Sequence, residues 1–166
     1  MTISIGIILG SDSDYPSLEK GIGLLKEYNI SFRIEVSSAH RTPERTMKII
    51  REFEKSGCQV IIAAAGGAAH LPGVIASHTL LPVLGVPIKS PLSGIDSLYS
   101  IVQMPGGIPV ATFGIGDSGG MNAVLFALQI LSLSNPELKG IMEQFRKSQR
   151  EKVLEKSKRL QDKVGS

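Results

Sequence analysis

The chain has 166 residues, 42% apolar and 20% charged, with a net charge of +3. That is enough for one domain that buries roughly 70% of its unfolded-chain surface, and it excludes bulk disorder. The charge is uneven. Residues 136–166 hold nine Lys/Arg and five Asp/Glu, so the tail carries +4 and the preceding 135 residues −1. Acids interspersed with the bases describe a solvated helix face rather than a nucleic-acid-binding arm. A single cysteine, Cys58, allows neither a disulfide framework nor a Cys-based zinc site within one chain. Trp is absent and aromatics are 5%, which argues against stacked-base recognition and against a flavin platform. No apolar run approaches the ~18–20 residues of a membrane span, and the N-terminus lacks a signal-peptide pattern. The expected setting is therefore cytoplasmic, with no membrane or nucleic-acid partner.

Short apolar runs alternate with amphipathic segments. Ile3–Leu9 reads as a strand, and Leu18–Tyr28 as a helix with Leu18, Ile22 and Leu25 on one face. Phe32–Val36 alternates like a strand. Pro43–Lys55 is helical, with Thr42 as N-cap, Pro43 at the first position and Gly57 just past the end. Met47, Ile50 and Phe53 should face the core. Val60–Ala65 is a strand, Pro72–Leu81 a helix carrying His78, and Val83–Val86 a strand. Ile95–Met104 places Ile95, Leu98 and Val102 on one helical face. Val110–Ile115 is the last strand, Met121–Leu133 an apolar helix, and Pro136–Val164 a long final helix. Residues 1–135 are expected to form one α/β catalytic domain, with 136–166 as its helical extension. The alternation predicts a three-layer α/β/α, flavodoxin-like doubly wound parallel sheet with a long C-terminal helix. Ligands in such folds bind beyond the C-terminal ends of the strands.

Three segments at those positions carry chemistry. Gly10-Ser11-Asp12-Ser13-Asp14 follows the first strand; its glycine, hydroxyls and helix-start amides suit a phosphate. It lacks the Lys-Ser/Thr ending of a P-loop, and it also reads as a helix cap supplied by Ser13 or Asp14. Ser37–Pro43 offers hydroxyls, His40 for proton transfer and Arg41 as a phosphate fork, and it also reads as a capped helix start with a surface histidine. Ala65–Gly73, with Gly66-Gly67-Ala68-Ala69-His70, strips away side chains and leaves room for a small planar or anionic group, and reads equally as a tight turn needing positive φ. His40, His70 and His78 have no zinc-type spacing, so no metal site is expected. Ser90–Gly107, with Asp96 and Ser97, and Gly116–Asn122 are weaker signals.

Taken together, GSDSD, SAHRTP and GGAAHLPG closely resemble the family of N5-carboxyaminoimidazole ribonucleotide mutases of purine biosynthesis, and DSLYSIVQMPGGIPVAT is similar to the same family. The resemblance runs from about Ile3 to Leu133. It implies a cofactor-free enzyme that moves a carboxylate from the exocyclic nitrogen of an aminoimidazole ribonucleotide to ring carbon C4. By the same resemblance Ser11 and Arg41 would hold the phosphate, Asp14 the ribose hydroxyls, and Ser38 the phosphate loop. His40 would carry the proton. Gly66, Gly67, Ala68 and His70 would surround the migrating carboxyl group. An octamer embraced by C-terminal helices is implied, as is a functional link to an ATP-dependent carboxyaminoimidazole ribonucleotide synthase. Ile88–Leu92 departs from the family's pattern by one residue. Two other readings share the pattern: an aminoimidazole ribonucleotide carboxylase using free CO2, and a non-enzymatic nucleotide-binding module. The carboxylase branch carries Lys where this chain has Arg41, and more polar residues along Gly67–His70.

Overall fold

The structure, a computed structural model, describes residues 3–165. Five parallel strands form one sheet: β1 (Ile5–Leu9), β2 (Phe32–Val36), β3 (Val60–Gly66), β4 (Val83–Ile88) and β5 (Ala111–Thr112). Six helices follow in chain order: α1 (Glu19–Glu27), α2 (Pro43–Lys55), α3 (Leu71–Ala76), α4 (Ile95–Val102), α5 (Asp117–Ser132) and α6 (Pro136–Val164). The strand order is 2-1-3-4-5, the flavodoxin-like winding expected from the alternation. β1 pairs β2 on one side and β3 on the other, with Leu9 opposite Val36 and Ala64. The chain therefore reverses its winding direction between β1 and β3, and the loops leaving those strands part there to open a crevice.

The residues form two compact units, one ending at Ala127 and one beginning at Leu128. In the first, β1 and β4 are fully buried apolar runs and β3 is buried up to its exposed last residue, Gly66, as strands covered on both faces must be. Ile8, Ile61 and Ala63 pack with Ile49, Ile50 and Phe53 of α2, Leu71 and Ile75 of α3, and Ile101 of α4. Gly6 lies under this layer. A Cβ there would fall inside the ring of Phe53, so only glycine lets α2 approach the sheet this closely. On the opposite face α1 meets α5, where Gly21 packs against Val124. The edge strand β2 is covered by charge: Arg33 pairs with Glu35 (2.6 Å) and Glu52 (2.9 Å), and Arg45 with Glu35 (2.7 Å). Charged side chains on an edge discourage pairing with another strand. In the second unit Leu138 and Met142 are buried, while Val153, Leu154, Leu160 and Val164 of α6 are exposed. No helix among the described residues is long and apolar enough to cross a membrane.

Several local expectations change. A 3-10 turn, Asp12–Ser17, containing Pro16, separates the first loop from α1. Its cap is Ser11, whose hydroxyl accepts from the Ser13 amide while Asp14 reaches back to the Ser11 amide. The expected caps Ser13 and Asp14 are thus the capped turn itself. Pro43 opens α2 and Gly57 closes it at φ +79°, but Thr42 makes no side-chain cap. Its hydroxyl turns back to the Ser38 amide (3.0 Å) and carbonyl (3.1 Å). α3 stops at Ala76, so His78 lies in the following turn, not on the helix. β5 shrinks to two residues, because only Leu84 and Gly85 of β4 pair with it. The face of α4 is also different. Ile95 and Val102 are 45% and 51% exposed, and the helix buries Ser97 and Ile101 instead. Hydrogen bonding of the Ser97 hydroxyl overrides the apolar periodicity.

Candidate active site

The loops that follow β1, β2, β3 and β4 enclose a cavity of about 640 Å3. The nine residues that the family resemblance gives site roles all line it: Ser11, Asp14, Ser38, His40, Arg41, Gly66, Gly67, Ala68 and His70. Parallel strands with common C-terminal ends bring these three distant segments to one place.

The first loop is organised around a buried carboxylate. Asp14 is 6% exposed, and its Oδ2 accepts from the Ser11 amide at 3.0 Å. Burial pushes its carboxyl above the usual carboxylate range, the amides of Ser11 and Gly10 pull it back, and the Asp12 charge adds to the rise. The Ser11 hydroxyl accepts from Ser13 Oγ (2.8 Å) and donates to Asp12 Oδ1 (3.1 Å). Both serines line the cavity, so their hydroxyls can exchange these local bonds for an anionic ligand.

The second loop is a tight turn: the Thr42 amide donates to the Ser38 carbonyl (2.9 Å), and the Arg41 amide to Ser38 Oγ (3.2 Å). Ser38 thus shapes the loop that carries His40 and Arg41. Arg33 and Arg45 are engaged by carboxylates, whereas Arg41 is exposed and has no ion-pair partner among the described residues. A guanidinium left open at a cavity rim suits a phosphate, which it can grip through two parallel N–H bonds. His40 Nε2 lies 2.7 Å from His70 Nδ1, with the rings near perpendicular at 76°.

The third loop leaves β3 through Gly67 at φ +65°, a left-handed conformation that glycine adopts without strain. Ser97 fixes this turn from below. Its fully buried hydroxyl donates to the Ile88 carbonyl (2.8 Å) and accepts from the Gly67 amide (2.9 Å). Ser100 Oγ donates to the Asp96 carbonyl at 2.8 Å. Ser90 Oγ donates to Asp96 and so holds that carboxyl below the usual range.

Ile88, Lys89, Ser90 and Pro91 also line the cavity, as does Ser13; none of them has a site role in the sequence reading, which names Ser13 only within the first loop and Ser90 only within the weaker Ser90–Gly107 segment. The signal for the first four was the strand-end rule itself, since Ile88 ends β4 and Lys89, Ser90 and Pro91 follow it. The segment Gly116–Asn122 and His78 are not part of the lining. Among the described residues no group of three or more His, Cys, Asp or Glu could hold a metal ion.

A 2-1-3-4-5 parallel sheet with an open Arg, hydroxyls and a histidine pair at its switch point defines a doubly wound α/β protein for a small anionic ligand. The chain belongs to the AIR carboxylase family, whose model matches residues 4–152. It is 53% identical over 159 residues to a Pyrococcus horikoshii protein named N5-carboxyaminoimidazole ribonucleotide mutase, covering 95% of this chain and 89% of that one. It is 51% identical to the Escherichia coli K12 protein of the same name, covering 91% and 90%. Among solved structures, Treponema denticola PurE matches with a TM-score of 0.83 and 29% identity, covering 94% of this chain and 97% of that one.

Proposed function

We propose that this chain converts N5-carboxyaminoimidazole ribonucleotide to 4-carboxy-5-aminoimidazole ribonucleotide by decarboxylation and recarboxylation. The observation that carries this reading is the convergence of an unpaired Arg41, the Ser11 hydroxyl, His40 and a side-chain-poor Gly66–His70 loop on one cavity. Arg41 and Ser11 take the phosphate. Asp14 accepts from ribose hydroxyls. These contacts place the base over the glycine loop.

The chemistry follows from the substrate. An N-carboxylate on an aromatic amine is a carbamate. When the imidazolium of His40 gives its proton to the nitrogen, the N–C bond breaks and CO2 leaves. The bonding pair stays on nitrogen. The aminoimidazole then behaves as an enamine. C4 attacks CO2, forming a C–C bond and a tetrahedral carbon that still carries its hydrogen. Neutral His40 takes that proton, the ring regains aromaticity, and the imidazolium is restored. Electrons and atoms balance without an oxidant or an electron sink. Positioning and confinement are the remaining tasks. Gly66, Gly67 and Ala68 let the loop close on CO2, so that it stays beside C4 at high effective concentration.

Arg41 and the small apolar loop favour the intramolecular reaction over capture of dissolved CO2. The purified protein is expected to convert the N-carboxylated ribonucleotide without added bicarbonate. With labelled bicarbonate present, little label should enter product in a short forward assay. Label entry at the turnover rate, or activity only with aminoimidazole ribonucleotide plus CO2, would establish the carboxylase instead. Binding without turnover would leave a nucleotide-binding module. The labile carbamate also implies a partner reaction, an ATP-dependent synthase that makes it.

An octamer is the assembly this reading carries. Ile95, Tyr99 and Val102 of α4 are exposed, as are Val153 and Leu154 of α6. Exposed apolar faces of this kind are usually covered in symmetric oligomers. Sedimentation at micromolar concentration tests it, and a monomer there would defeat it.

A further inference from the structure

The carboxyl-transfer reading assigns both proton transfers to His40, and the inference drawn here rests on that reading. His40 stands on an exposed loop, and among the described residues its imidazole has one hydrogen-bond partner, His70, at 2.7 Å. His70 is anchored differently. Its chain neighbours Ala69 and Leu71 are buried. Its carbonyl accepts from the Val74 amide (2.9 Å) at the start of α3. Its own amide donates to the Ala68 carbonyl (2.5 Å). His70 is thus a fixed post, and His40 is the ring that leans on it.

The bond constrains which nitrogen of His40 can work. A neutral imidazole has one N–H and one lone pair. A bond between Nε2 of His40 and Nδ1 of His70 commits both facing nitrogens, whichever ring donates. If His40 donates, its Nδ1 holds a lone pair. In the imidazolium that starts the cycle both nitrogens carry hydrogen, so Nε2 donates to His70 and Nδ1 holds the proton to be given. In either case Nδ1 is the nitrogen left to exchange a proton with a ligand. We propose that His70 is a positioning residue for His40, occupying Nε2 so that the ring meets the aminoimidazole through Nδ1. This differs from a role for His70 in holding the migrating carboxyl group, which would weaken substrate binding when His70 is lost.

Two substitutions separate these roles. His70 is exposed, so neither disturbs the core. His70→Ala removes the partner, and kcat should fall roughly 10–100-fold with KM changed less than about threefold. His70→Asn puts an amide oxygen near the place of Nδ1, and should return kcat to within about fivefold of the parent. The second readout needs no substrate. With three histidines in the chain, nitrogen-15 spectra of the ring nitrogens can be assigned by substitution. The His40 Nε2 resonance should move in His70→Ala and return toward the parent position in His70→Asn, while His78 stays put. Equal loss of kcat in both variants overturns the proposal, as does a raised KM at unchanged kcat or an unmoved His40 resonance. An inactive parent protein would defeat the mutase reading, and the spectra would still decide whether His70 holds His40.

Discussion

Ser97→Ala removes one hydroxyl and disturbs two backbone groups. The Ile88 carbonyl loses its donor at 2.8 Å, and the Gly67 amide loses its acceptor at 2.9 Å. Ile88 is buried, so its carbonyl bears most of an unmet desolvation term of about 1–3 kcal/mol. Gly67 is half-buried, and water can replace its lost acceptor, so that side costs about 1 kcal/mol or less. The variant should therefore lose about 2–3 kcal/mol of stability, a drop in Tm of roughly 4–12 °C for a chain of this size. The proposed assembly would add concentration-dependent stability, so both proteins are compared at one protomer concentration. The effect on turnover should be larger than global stability alone implies. Gly67 begins the loop proposed to confine CO2, and a misplacement of about 1 Å can slow an aligned reaction ~100-fold. Thermal unfolding and steady-state kinetics on the same preparation provide the assay. Parent-like Tm and kcat together would refute the view that Ser97 ties β4 and α4 to the glycine loop.

His40→Asn should keep most ribonucleotide affinity while turnover falls by roughly 10²–10⁴; near-normal turnover would remove His40 from the mechanism. Arg41→Ala should weaken the ribonucleotide by about 1.5–3 kcal/mol, or roughly 10–150-fold, and the phosphate-free nucleoside far less; equal losses by calorimetry would contradict a phosphate contact. Asp14 supplies a test through pH. Its folded-state pKa lies above the usual value, so its contribution to stability is present below the usual carboxylate range and is lost as pH rises through the folded value. Asp14→Asn should accordingly raise the urea midpoint at neutral pH, with the advantage fading by about pH 4, while ribonucleotide binding weakens. A lower midpoint at neutral pH would show that the amide contacts of Ser11 and Gly10 outweigh the burial.

Periodicity and turn chemistry are local properties, and they determined much of this protein. The buried runs of β1, β3 and β4, the proline opening α2, the glycine closing it and the strand–helix alternation are all legible without coordinates, because each depends on neighbours within one or two turns. The same alternation placed three loops at the strand ends, which is why the nine residues given site roles by the family resemblance meet in one cavity. What only the tertiary structure decided are the contacts between segments far apart in the chain. The rotation of α4 depends on Ser97 meeting a turn thirty positions away, so an apolar repeat misread its buried face. The length of β5 depends on how much of β4 remains to pair with it. The His40–His70 bond also spans thirty positions, and no spacing rule encodes the 2.7 Å that joins them. Lys89 and Ser90 entered the cavity because β4 ends beside β3. A sequence states which groups exist and which local conformations they prefer. Whether two groups thirty residues apart share a proton is settled only when the sheet fixes where their loops end.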